Sequence, residues 1–88
     1  MTWLTTPNGL TREFQFSDFR AAWVFLTAVA AEAERRDHHP AIWNEYGYVR
    51  LELRSHDAGN LITPRDERLA SAIDRIADEL GPPAPQAA

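Results

Sequence analysis

Asp37-His38-His39-Pro40-Ala41-Ile42-Trp43-Asn44-Glu45-Tyr46-Gly47-Tyr48-Val49-Arg50-Leu51-Glu52-Leu53-Arg54 is the segment where helical periodicity gives way to strand periodicity. Pro40 disfavours helical geometry at the residue before it, so a helix arriving from upstream stops at Asp37-His38-His39-Pro40. Ile42 to Tyr46, then Gly47, then Tyr48 to Arg54 reads as a β-hairpin, with Val49, Leu51 and Leu53 facing in and a polar outer face.

Upstream, Ser17 and Asp18 are N-cap candidates for a helix that runs to about Arg36 without Gly or Pro and is rich in Ala. Phe19, Trp23, Leu26, Ala30 and Ala33 form a stripe at helical spacing that is predicted to face a sheet. Ala21, Val24, Phe25, Ala28 and Ala31 lie off that stripe. Either a helix of another subunit covers this second apolar side, or one domain buries both sides. Before the helix, Trp3 to Thr6, the turn Pro7-Asn8-Gly9 and the alternating Arg12 to Phe16 make a first hairpin with Phe14 and Phe16 on one face.

Downstream, Ser55 to Asn60 is a turn-forming loop, and Thr63-Pro64-Arg65-Asp66 combines an N-cap, a proline at the first helical position and a carboxylate at the third. Leu69, Ile73, Ile76 and Leu80 continue this helix up to Gly81. The order ββαββα predicts an α+β fold, a four-stranded antiparallel sheet with two helices on one face. Residues 1–81 form the expected domain, and 82–88 a disordered Pro/Ala-rich tail.

The 88 residues, 44% hydrophobic and 25% charged, suit one small globular domain and exclude a two-domain enzyme. A domain of this size buries only about 60–65% of the surface its unfolded chain exposes, which favours a subunit partner. Nine Lys and Arg against 13 Asp and Glu give a net charge of −4, and with no basic stretch neither nucleic acid nor an anionic membrane is an expected partner. The absence of cysteine excludes disulfides, thiolate metal sites and a Cys nucleophile. The longest apolar run, Ala21 to Ala31, is too short to span a bilayer, and Met1 to Leu10 lacks a signal-peptide pattern. A cytoplasmic chain starting at its own Met1 is expected.

All three histidines fall at element ends, His38 and His39 where the long helix stops and His56 where the fourth strand stops. Imidazoles titrate near neutrality, so two on opposite sides of a substrate can give and take protons together. Asp37 adjoins His38, Asp57 adjoins His56, Glu34 lies one helical turn before His38, and Asp66 opens the last helix. A carboxylate on one ring nitrogen fixes the tautomer and raises the basicity of the other. The same residues also have plain structural uses: histidines suit a helix C-terminus, Asp66 caps, and Glu34 pairs with an arginine or is solvated. Metal is not expected, because adjacent His38 and His39 point different ways and cannot easily chelate one ion. No phosphate loop, nucleophile elbow or dinucleotide fingerprint is present.

Glu34-Arg35-Arg36-Asp37-His38-His39-Pro40, Trp43-Asn44, Tyr46, Val49, Leu51, Leu53, Ser55-His56 and Arg65-Asp66, together with Phe14-Gln15-Phe16-Ser17-Asp18-Phe19-Arg20-Ala21, resemble the signature of the pterin-4a-carbinolamine dehydratases. The likeness runs from Trp3 to the last helix. It implies a hydro-lyase that removes water from 4a-hydroxytetrahydropterin to give quinonoid dihydropterin in tetrahydrobiopterin recycling, with no cofactor or metal. By the same resemblance His38 and His56 are the acid/base pair and His39 holds the pterin. Asp37, His38, His39, Arg54, Ser55, His56 and Asp57 contact the substrate, with Glu34 and Asp66 in support. Subunits of the family join through the long helix, here 18–36, and through sheet edges, implying a homodimer or homotetramer. The resemblance also implies a link to an aromatic amino-acid hydroxylase as the source of the substrate. Family members commonly carry a further helix before the Trp3 position, which the residues given do not include, so the chain is expected to be either a short variant or one trimmed at its start; the loop after His56 is one residue longer than in the animal enzymes. Relatives that act as dimerisation cofactors or assembly scaffolds make a non-catalytic role the alternative.

Overall fold

The computed structural model describes residues 3–80. Its elements are β1 (Leu4–Thr6), β2 (Gly9–Gln15), α1 (Phe19–Arg36), β3 (Ala41–Glu45), β4 (Tyr48–Leu53), a 3₁₀ turn at His56–Ala58 and α2 (Pro64–Glu79). The strands form one antiparallel sheet in the order β1-β2-β4-β3, with both helices packed on one face. This is the α+β architecture expected from the sequence. The expected helix stop at Gly81 and the expected tail at 82–88 lie outside the described residues.

Each hairpin closes where a residue without a side chain is required. Gly9 has φ 110°, and a Cβ there would stand 2.1 Å from the Leu53 carbonyl oxygen on β4. Gly47 lets the end of β2 approach the second hairpin: Phe16 N donates to its carbonyl at 2.7 Å, and a Cβ would lie 2.3 Å from the Phe16 oxygen. Asn44 reinforces that hairpin by donating Nδ2 to the carbonyls of Tyr46 and Tyr48.

Helix α1 starts at Asp18, whose Oδ1 accepts from Ala21 N at 2.8 Å. It ends earlier than Pro40 requires. Asp37 adopts the left-handed conformation with φ 50°, and His38 N donates back to the Ala33 carbonyl at 3.0 Å, the six-residue closure that ends many helices. The reversal turns His38 inward, where it is 8% exposed.

The face of α1 that meets the sheet is Ala22, Phe25, Leu26, Val29 and Ala33. Of the predicted stripe, Leu26 and Ala33 face in, whereas Phe19, Trp23 and Ala30 are exposed. Phe25 accounts for the rotation. Its ring sits 4.7 Å from that of Phe14 and 4.9 Å from that of Phe16, so the largest apolar contact available to α1 fixes its azimuth. Trp23 then lies at the periphery, half exposed, with Nε1 donating to Asn44 Oδ1 at 2.8 Å. Helix α2 adds Leu69, Ala70, Ile73 and Ala77 to this core, while Leu80 is exposed rather than continuing the buried stripe. Trp3 precedes β1, packs on the core and donates Nε1 to Asp74 of α2, which also pairs with Arg12.

The outer face of β4 is polar, as the alternation predicts, but it is not fully exposed. Glu52 is 5% exposed between Arg50 and Arg54, and the Arg50 guanidinium lies 4.3 Å from the centre of the Trp43 ring. Among the described residues no helix is long and apolar enough to cross a membrane.

The glycines give a direct test of this geometry. Gly9→Ala combines a left-side φ with a backbone collision and is expected to destabilise by about 3 kcal/mol. Gly59→Ala has φ 71° but open space around it, and is expected to cost about 1 kcal/mol. Urea denaturation of the two variants checks the difference.

Candidate active site

Two distant stretches of chain deliver the three histidines to one place. His38 and His39 follow the left-handed turn that ends α1, and His56 opens the 3₁₀ turn after β4. That turn is curled by positive φ at Gly59 and Asn60 and closed by Ser55 N donating to the Leu61 carbonyl at 3.0 Å. Between them lies a cleft of about 280 Å³ lined by Asp37, His38, His39, His56, Asp57 and Arg65.

Asp66, fully buried, organises its floor. Its Oδ1 lies 2.5 Å from His38 Nε2, while Oδ2 accepts from Ser55 Oγ at 2.8 Å and from Thr63 N at 2.9 Å. Thr63 N belongs to the first turn of α2, so the helix cap and the histidine share one carboxylate. Burial by itself pushes the Asp66 carboxyl up. The hydrogen bonds from His38, Thr63 and Ser55 outweigh that effect and hold it below the ordinary carboxylate range. A carboxylate only accepts, so His38 carries a proton on Nε2, and in the neutral ring Nδ1 is then the acceptor.

His39 and His56 are held more loosely. His39 Nε2 is 3.2 Å from Glu34 Oε1, and both side chains are exposed. His56 Nδ1 is 2.9 Å from Asn60 Oδ1. With the amide oxygen as acceptor, Nδ1 donates, and in the neutral ring Nε2 then carries the lone pair.

The carboxylates are not partnered as adjacency in sequence suggests. Glu34 meets His39, not His38, because the turn at Asp37 carries His38 away from the helix surface. Asp37 lines the cleft, but among the described residues its carboxylate accepts no hydrogen bond from an imidazole. Asp57 pairs with Arg65, which holds its carboxyl below the usual range, while Asn60 takes the place beside His56. Arg54 does not line the cleft: Nη1 donates to the Asn8 carbonyl and lies 3.3 Å from Glu52. Ser55 is fully buried behind the cleft, bonded to Asp66 and Thr63. Arg65 and Asn60 are the contributors that sequence reasoning left without a role. Their signals were Arg65 standing beside the capping aspartate and Asn60 standing four residues after His56. Among the described residues, no group of three or more His, Asp or Glu side chains is arranged to hold a metal ion.

The folded Asp66 carboxyl is a stronger acid than an unfolded one, which fixes the sign of its pH effect. Its contribution to stability is complete above the pH where unfolded aspartate titrates, about 4, and is lost as pH falls through the lower folded value. Asp66→Asn is expected to cost about 2 kcal/mol at pH 7 and to flatten the loss of stability below pH 4. Urea titrations of wild type and variant at neutral and acid pH measure both effects.

Residues 1–76 match the family model described as Pterin 4 alpha carbinolamine dehydratase. A relative from Nitrobacter winogradskyi whose name carries that activity is 47% identical over 74 residues, covering 84% of this chain and 72% of the relative. One from Paraburkholderia xenovorans, named alike, is 44% identical over 72 residues, covering 82% and 74%. Among solved structures, a transcriptional coactivator/pterin dehydratase from Brucella melitensis superposes with a TM-score of 0.80 at 35% identity, covering 85% of this chain and 81% of that one. A pterin dehydratase-like protein described as a RuBisCO assembly factor in the alpha-carboxysome shares the fold, with a TM-score of 0.74 at 24% identity over 88% of this chain and 90% of its own. The expected resemblance is borne out by matches that run through both hairpins and into α2: this chain belongs to the pterin-4a-carbinolamine dehydratase family.

Proposed function

We propose that the chain is a pterin-4a-carbinolamine dehydratase, a hydro-lyase converting 4a-hydroxytetrahydropterin, in particular 4a-hydroxytetrahydrobiopterin, to quinonoid dihydropterin and water. The observation that carries this reading is the single cleft lined by His38, His39 and His56, with His38 locked from behind by a buried carboxylate. In the reaction the bond from C4a to the hydroxyl oxygen breaks, and the N5 proton leaves. The histidine that enters the step with both ring nitrogens protonated gives a proton to the departing oxygen while the other, entering neutral, removes the N5 proton, so the elimination releases neutral water and exchanges the protonation states of the two rings. His38 and His56 approach from separate segments and suit these two transfers. His39, exposed at the rim beside Glu34, suits holding and orienting the pterin. Asp37 and Asp57 stand on the same cleft as substrate contacts, and Ser55 acts through Asp66. Arg54, bonded to Asn8 and Glu52 and not among the cleft-lining residues, bears on the substrate through its neighbours.

The reaction belongs to tetrahydrobiopterin recycling, downstream of an aromatic amino-acid hydroxylase in the cytoplasm. Subunits assemble as a homodimer or homotetramer through α1 and the sheet edges. Phe19, Trp23 and Val24, each about half exposed on the side of α1 away from the core, support that assembly. The same face favours a second reading, an assembly factor on this fold, as named for the carboxysome relative. Keeping His38, His39, His56 and Asp66 as one cluster favours the enzyme, since a docking surface on α1 has no use for them.

The purified chain is expected to accelerate loss of a carbinolamine generated by an aromatic amino-acid hydroxylase. His38→Ala and His56→Ala should each lower kcat by about a hundredfold or more, and His39→Ala should act mainly on KM. Unchanged turnover in the first two variants would overturn the roles. Sedimentation should give a mass above that of one chain, and Trp23→Glu should reduce it toward the monomer.

A further inference from the structure

We propose that Arg65 is a positioning residue: paired with Asp57, its guanidinium anchors the loop that carries His56 to the first turn of α2, next to the residue that anchors His38. The proposal rests on the dehydratase reading for its kinetic consequence and on geometry alone for its structural one.

Three observations lead to it. First, the hydrogen bonds of the His56 loop beyond Ser55 are almost all internal. Ala58 and Asn60 donate to the Ser55 carbonyl, Gly59 donates to the His56 carbonyl, and the His56 ring meets Asn60. Among the described residues, Arg65 to Asp57 is the side-chain link that joins this turn to another element. Second, Arg65 occupies the second position of α2, where the helix dipole disfavours a cation. A cation in that place is accounted for by the carboxylates it meets: Asp57 in contact, with Asp66 and Asp37 nearby. Third, Arg65 itself lines the cleft. Adjacent residues of one helical turn therefore hold the two histidine segments, Asp66 gripping His38 and Arg65 gripping the His56 turn. The distance between the proton-transfer groups is fixed from a single rigid base.

An exposed ion pair contributes little to global stability, so its loss should appear locally. In the full-length chain, Arg65→Met is expected to raise amide hydrogen exchange at Gly59 and Asn60 about three- to fivefold, while β4 and α1 stay unchanged. It should lower kcat about tenfold with little change in KM. Asp57→Asn should loosen the same amides from the other side of the pair, and Arg65→Lys should restore their protection and most of kcat. Unaltered exchange at Gly59 and Asn60 in Arg65→Met, or a uniform rise across the sheet, would overturn the proposal. Absence of dehydratase activity in the wild type would instead overturn the functional reading, leaving the exchange experiment to decide the role of Arg65.

Discussion

The carboxylate of Asp66, out of reach of solvent, is the constraint on which the site is built. Burying a charge is costly unless it is hydrogen-bonded, and here a helix-cap amide, a serine hydroxyl and an imidazole all donate to it. Each donor comes from a different part of the chain: Thr63 from the start of α2, Ser55 from the end of β4, and His38 from the end of α1. Satisfying one aspartate thus requires three element ends to meet, and a cleft opens where they do. The group that starts a helix also fixes the tautomer of the histidine beside that cleft.

Away from the site, the aromatic packing of Phe25 between Phe14 and Phe16 sets how α1 lies on the sheet. Its rotation buries Val29 and Ala22 and turns Phe19, Trp23 and Val24 outward. A helix apolar on two sides thus has one of them buried within the domain, while Phe19, Trp23 and Val24 on the other stay about half exposed. The cleft and this outward face occupy different parts of α1, the first at its C-terminal end and the second along its N-terminal half.

The histidines were visible in the sequence as residues at element ends, yet their partners were not. Adjacency suggested Asp57 for His56 and Asp37 for His38; the left-handed residue at Asp37 and the curled turn at Gly59 and Asn60 redirected both. Asp66 lies 28 residues from His38, and periodicity can describe it only as a cap. Arg65 was passed over for the same reason, since its role depends on which loop comes to rest against α2.

Local chemistry in the sequence determined the elements: the punctuation of Pro7-Asn8-Gly9 and Tyr46-Gly47, the caps at Asp18 and Thr63, and the alternation of Val49, Leu51 and Leu53. These signals act over a few residues, through backbone sterics and the period of a helix or strand, and so they can be read without knowing the neighbours. Tertiary structure alone decided which face of α1 is buried, which carboxylate holds which ring, and that Ser55 lies behind the cleft while Arg65 lines it. Those outcomes depend on the packing of groups far apart in the chain, where a rotation of one helix or the handedness of one residue exchanges every partner.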